Sequence, residues 1–205
     1  LGVIPTIGPY LLPRILPELR ARFPKLKLYL REDQTANLLA QLSTGDLDVL
    51  ILAFPMDTPG AEVMMIAKDP FWLVCPKDHP LAGRKSVDPA EIPADELLLL
   101  EDGHCLRDHA LSACKMSGRS KAPPFQGTSL HTLVEMVASG LGLTLIPDMA
   151  ATSYMMAQAP LIVLPLEGKE SGREIGLAWR RTSGRREEFK LLGKTLAELL
   201  AKGRQ

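Results

Sequence analysis

The chain has 205 residues, 46% of them hydrophobic, and balances 24 Lys and Arg against 24 Asp and Glu. That length supports one domain or two small ones with a core, and no apolar run is long enough to span a bilayer, so no membrane partner is expected. Zero net charge argues against nucleic-acid binding by this piece alone, because phosphate binding rests on an excess of Lys and Arg.

The pattern predicts a short strand over residues 2–6 and a helix over 7–22, whose Leu11, Leu12, Ile15, Leu16 and Leu19 share one face. Pro9 and Pro13 are tolerable near its first turns. Thr6 falls at the strand-to-helix junction. Its hydroxyl either caps the helix or faces a cleft beside free backbone N–H groups, a good place for a small polar ligand. Alternation over 26–30 predicts a second strand, and a helix follows over 34–43, stopped near Gly45. Thr35, at its start, has the same two readings as Thr6. The run LDVLILA over 47–53 reads as a buried parallel strand. Strand–helix–strand–helix–strand makes a doubly wound α/β unit. Its cleft should lie at the carboxyl ends of the strands, where Thr6 and the 31–35 turn fall.

Residues 56–69 read as connection with room for one more strand, and FWLVCP over 71–76 as a strand crossing into a second unit. Cys75 in that run reads as a buried structural thiol. A loop with a short DPAEIP turn leads to a buried strand over 97–100. After the 101–118 segment come a polar connection over 119–124 and a short strand around Phe125. Thr128 and Ser129 then open a helix with Leu130, Leu133, Val134 and Val137 on one face. Gly140 and Gly142 end it, and a strand over 143–146 completes a second α/β unit of the same kind. Thr128 and Ser129 again offer hydroxyls at a helix N-terminus, while His131 reads as a surface histidine. Strands over 161–166 and 175–179 precede an amphipathic helix over 185–202. Phe189, Leu192, Leu196, Leu199 and Leu200 lie on its buried side, with Gly203 as stop.

The segment EDGHCLRDHALSACKMSG over 101–118 holds two of the three cysteines. Asp102 reads as a helix N-cap and Gly118 as the stop. Cys105 would sit in the first turn, at the positive end of the dipole, with His104 and Arg107 as added donors, all favouring thiolate over thiol. Nine helical residues rise by roughly 13 Å and turn Cys114 to the opposite face. A disulfide needs Cα atoms within about 7 Å, so a Cys105–Cys114 bond would require unwinding. Two readings stay open: a conformational switch, or two unrelated helix cysteines. No secretory leader is visible, and the chain opens inside an expected strand, so residues are expected to precede it. The compartment expected is a reducing cytoplasm, where a disulfide is transient and regulatory.

GHCLRD, followed by a cysteine nine residues after the first, resembles the redox segment of the peroxide-sensing LysR-type transcriptional regulators. The opening GVIPTIGPYLLPRILPELRARFPKLKLYLRED is similar to the start of that family's regulatory domain, and TSLHTLVEMVASGLGLTLIP to its helix–turn–strand segment. The likeness covers nearly the whole chain. It implies two Rossmann-like subdomains of periplasmic-binding-protein type linked by crossover strands. Residues 1–70 plus 174–205 would form the first, and residues 71–173 the second, carrying the redox cysteines. It implies a homodimer, and a tetramer in a full-length regulator whose N-terminal helix-turn-helix module, absent here, meets DNA and RNA polymerase. It makes Cys105 the peroxidatic thiol and Cys114 the resolving one, with His104 and Arg107 as local electrostatic partners. It places Thr6 and Thr35 in the hydrogen peroxide pocket, gives Thr128 and Ser129 a place in the effector cleft, and adds Arg173 as a charge near the sulfur. Asp108 reads as structural, since a carboxylate beside a thiolate would oppose its ionisation.

The chemistry implied is attack of the Cys105 thiolate on a peroxide oxygen, then condensation of the sulfenic acid with Cys114. Neither a metal nor a cofactor is expected. The principal alternative is a LysR-type effector domain that binds a small anion between its two subdomains, with incidental cysteines. A stand-alone thiol peroxidase would need a reductant and further catalytic apparatus. A metal site from His104, Cys105, His109 and Cys114 lacks a C-x-x-C pair, and Cys114 points away from the others.

Overall fold

The computed structural model describes residues 1–116, 125–153, 160–168 and 171–202. In chain order its elements are β1 (Gly2–Val3), α1 (Gly8–Arg22), β2 (Arg31–Glu32), α2 (Thr35–Thr44), β3 (Val49–Phe54), β4 (Ala61–Pro76) and a 3₁₀ turn (Pro89–Glu91). There follow β5 (Leu99–Leu100), α3 (Cys105–Ala113), β6 (Gln126–Gly127), α4 (Leu130–Ala138), β7 (Thr144–Pro147), α5 (Asp148–Ala151), β8 (Leu161–Pro165), β9 (Gly172–Arg180) and α6 (Arg186–Lys202). The fold is α/β, in two Rossmann-like units of periplasmic-binding-protein type joined by the crossover strands β4 and β9. One unit comprises Leu1–Lys68 and Glu174–Gln205, the other Asp69–Arg173. The expected stops Gly118 and Gly203 and the connection over 119–124 lie outside the described residues.

In the first unit β2, β1 and β3 run parallel, and β9 joins β3 antiparallel with β4 beyond it. All six residues of β3 are buried, as its unbroken apolar run requires. Helix α1 tolerates three prolines because Pro9, Pro13 and Pro17 recur every four residues on its exposed face. Leu11, Ile15 and Leu19 fill the opposite, buried face, so the hydrogen bonds that proline removes are lost on the solvent side. Trp179 of β9 is buried and meets the Phe189 ring of α6 at 5.9 Å, which anchors the last helix on the sheet.

One expectation is corrected by the structure. The strand over 26–30 does not form; pairing is confined to Arg31–Glu32, where Arg31 N–H donates to Leu1 O. The alternation of 26–30 does not mark a core-facing strand, for Leu26 and Leu30 are exposed. The further strand allowed for in 56–69 does form, and it runs without a break into the 71–76 strand as the 16-residue β4 from Ala61.

In the second unit the later half of β4 pairs antiparallel with both β7 and β8. Strands β5 and β6 run parallel, and a Leu97–Leu143 bridge links β5 to the approach of β7. Cys75 is fully buried in β4, and that burial pushes its thiol upward in pKa. Leu130, Leu133, Val134 and Val137 form the buried stripe of α4. Among the described residues no helix is long and apolar enough to cross a membrane.

Candidate functional site

Strand β5 delivers the chain into α3 through a turn at Gly103, whose φ of 95° belongs to the left-handed region. The helix therefore begins at Cys105, with His104 in the N-cap position. Asp102 is not the cap, because the Gly103 turn separates it from the first helical N–H groups. Its carboxylate instead meets Arg107 Nε at 2.9 Å, while Arg107 Nη1 donates to Leu100 O at 3.3 Å. Arg107 thus fastens helix to strand, with its guanidinium turned back along the loop. His104 is buried, its Nε2 3.9 Å from Glu101 Oε1. Asp108 is exposed.

Cys105 is the first residue of α3 and half-buried, so its sulfur lies at the helix end that stabilises an anion. Cys114 is the C-cap of the same helix and is buried. Desolvation pushes its thiol up to about 11. The helix separates the two residues by roughly 13 Å along its axis and points them to opposite sides. No bond between them can form while α3 is intact. One end of the helix therefore presents a thiol where an anion is favoured, and the other stores a neutral thiol in the core.

The C-terminal end of α3 has an uncommon closure. Met116 N–H donates to Leu111 O at 2.9 Å and Lys115 N–H to Ser112 O at 3.0 Å, with Lys115 at φ 53°. This is the Schellman motif, which ordinarily places glycine at the left-handed residue. Helix α4 ends in the same way, through Leu141 N–H to Met136 O and Gly140 N–H to Val137 O, with Gly140 at φ 83°. Nothing in the local residue pattern marks a lysine for the glycine's place.

The hydroxyl-bearing candidates fall at helix starts, in distinct roles. Thr6 is buried in the turn between β1 and α1, and Thr35 is the buried first residue of α2. Neither is a cap, since the N-cap positions belong to Ile7 and Gln34. Both follow the carboxyl ends of parallel strands, the usual ligand edge of such a sheet. Beside Thr35, the Asn37 and Arg31 side chains and the Gln34 N–H hold the Asp33 carboxyl down to about 2. Ser129 is a true cap, accepting from Thr132 N–H at 3.1 Å, and Thr128 is exposed next to it.

Arg173 is buried and pairs through Nε with Asp69 Oδ2 at 2.9 Å, both side chains fully enclosed. The other Asp69 oxygen accepts from Met149 N–H at 3.0 Å. Sequence reasoning misses Asp69: an acid at the edge of the apolar 71–76 run is its one signal, and that signal names no partner. Among the described residues no three His, Cys, Asp or Glu side chains gather to hold a metal ion.

The model of the LysR substrate binding domain matches residues 1–201. The chain belongs to this family. It is 42% identical over 196 residues to the Escherichia coli K12 DNA-binding transcriptional dual regulator OxyR, covering 96% of this chain and 64% of that protein. It therefore spans somewhat under two thirds of that relative's length. The reduced regulatory domain of OxyR2 from Vibrio vulnificus superposes with a TM-score of 0.89 at 44% identity, covering 97% of this chain and 93% of that one. An H2O2-bound OxyR cysteine mutant from Corynebacterium glutamicum gives a TM-score of 0.90 at 33% identity, covering 98% and 64%. As a LysR regulatory domain of the OxyR kind, the chain has relatives named for transcriptional regulation rather than for enzymatic turnover.

Proposed function

We propose that this domain senses hydrogen peroxide in the cytoplasm through Cys105, and that Cys114 completes the signal. The observation that carries the reading is the placement of the two thiols at opposite ends of α3, one at the anion-favouring terminus and one buried. The Cys105 thiolate attacks one peroxide oxygen; the S–O bond forms, the O–O bond breaks, and hydroxide leaves as water. Cys114 then attacks the sulfenic sulfur and expels a second water, giving the disulfide. Thr6, Thr35, Thr128 and Ser129 are the proposed donors to peroxide, with His104 beside the thiol; Arg107, fastened to Asp102 and Leu100 O, and Arg173, enclosed with Asp69, act on the site only through the elements they hold.

Because α3 cannot hold the disulfide, oxidation must unwind it. The segment then repacks and alters dimer and tetramer geometry, and with it DNA binding and activation of oxidative-stress genes by RNA polymerase through the full-length regulator. An apolar groove of about 720 Å³ in the first unit supports an oligomer, since Leu26, Tyr29, Leu30 and Leu191 are exposed along it. Thiol exchange with the reducing cytoplasm resets the switch.

Stopped-flow peroxide kinetics on Cys105→Ser and Cys114→Ser test the assignment. The first should abolish the fast reaction; the second should preserve it and stop at sulfenic acid. Equal, slow rates in wild type and both variants would overturn the reading and turn attention to small anions as the effector.

A further inference from the structure

We propose that Glu32, with Asp33 beside it, makes the strand-end edge of the first unit refuse anions, so that the site takes neutral hydrogen peroxide and turns away anionic oxidants. The inference rests on Cys105 being the peroxide-reactive thiol, in a pocket to which Thr6 and Thr35 belong. A helix start ordinarily offers free N–H groups to an anion, and α1 and α2 both start at this edge. In each, a carboxylate of the chain itself stands at that end.

At α1 the first N–H groups are also engaged. Ile7 and Gly8 N–H both donate to Ile4 O at 3.0 Å, Tyr10 N–H donates to Ile7 O at 3.1 Å, and Leu11 N–H donates to Ile7 O at 2.9 Å. Pro9 has no N–H. Internal bonds thus replace the free N–H groups expected beside Thr6. The Glu32 carboxylate lies against the same end: a Cβ built on Gly8, the first helical residue, would stand 2.6 Å from Glu32 Oε2. Glycine leaves the room for that approach. At α2 the carboxylate is that of Asp33. Its Oδ1 accepts from Gln34 N–H at 2.9 Å and from Asn37 Nδ2 at 2.8 Å.

Charge points the same way. The segments that end or follow the three parallel strands are 4–8, 32–35 and 54–57, and their charged side chains are Glu32, Asp33 and Asp57. Arg31, one residue earlier, is paired with Asp33 at 3.0 Å. Glu32 is exposed, and among the described residues no cation pairs with its carboxylate. The chain as a whole is neutral, so no net positive field offsets this local charge. An anion nearing Thr6 and Thr35 is repelled, whereas uncharged hydrogen peroxide is not.

The test compares hydrogen peroxide with peroxymonosulfate, a hydroperoxide that is anionic at neutral pH. The Cys105 thiolate takes the terminal oxygen of either one. The S–O bond forms, the O–O bond breaks, and the leaving group is hydroxide from the first and sulfate from the second. Rates of Cys105 oxidation, each divided by that of free cysteine, are measured in wild type and Glu32→Gln. At low salt the substitution should raise the peroxymonosulfate ratio about fivefold and leave the hydrogen peroxide ratio unchanged. The gap should narrow at high salt, as screening raises the wild-type ratio. Equal peroxymonosulfate ratios in the two proteins at low salt would overturn the inference. So would a lower hydrogen peroxide ratio in the variant, which would make Glu32 part of the peroxide chemistry. Should the variant not fold, wild type decides: a peroxymonosulfate ratio that does not rise with salt sinks the inference. Failure of the underlying reading looks different, for wild-type Cys105 would then react with hydrogen peroxide no faster than free cysteine.

Discussion

Lys115→Gly should stabilise the reduced protein, because Lys115 occupies at φ 53° the place that Gly140 fills at φ 83° in α4. A residue with a Cβ costs about 1–2 kcal/mol in the left-handed region. Glycine recovers that but loses roughly 0.5–1 kcal/mol through the extra freedom of its unfolded chain. The net gain is about 0.5–1 kcal/mol, or about 1–4 °C in Tm for a chain of this size. Both closing hydrogen bonds of the motif involve backbone atoms only, so the substitution removes no contact that they provide. Urea denaturation in reductant measures the gain, and hydrogen exchange at Met116 localises it. The same substitution should disfavour the Cys105–Cys114 bond roughly 2–5-fold, since the stabilised helix end must open for it to form. A glycine variant no more stable than wild type would refute the claim that strain resides at this residue.

Three further outcomes are expected. Asp69→Ala leaves the enclosed Arg173 guanidinium and the Met149 N–H without their carboxylate, and should cost about 3–5 kcal/mol by denaturant titration. Asp69→Asn, which can still accept from Met149, should cost less. The raised Cys114 pKa favours the neutral thiol in the folded state, so its contribution is complete below about pH 9 and is lost as pH climbs toward about 11. Reduced protein should lose about 2–3 kcal/mol across that window, and Cys114→Ala should flatten most of the slope.

What could be read in the sequence was what local pattern decides. The stripe of α1, the apolar run of β3, the Gly45 stop of α2 and the stripe of α4 each follow from spacing within a few residues. The strand over 26–30 failed because alternation does not say whether a core lies beneath it. The continuity of β4 is not legible because Pro, Gly and Met at 55–65 obscure the start of a strand whose partner β9 lies about a hundred residues on. At the candidate site, Cys105 at a helix start was legible from the residue types. Its true cap was not, because the Gly103 turn moved Asp102 away from the helix and gave it to Arg107. The Asp69–Arg173 pair spans 104 residues and could not be seen from either end alone.

One measurement bears most directly on the central claim. One equivalent of hydrogen peroxide is added to the reduced chain, free thiols are counted, and peptide mass spectrometry locates any bond. Rapid loss of two thiols with a Cys105–Cys114 link and Cys75 untouched is the predicted result. Slow, indiscriminate oxidation at the rate of free cysteine would contradict it.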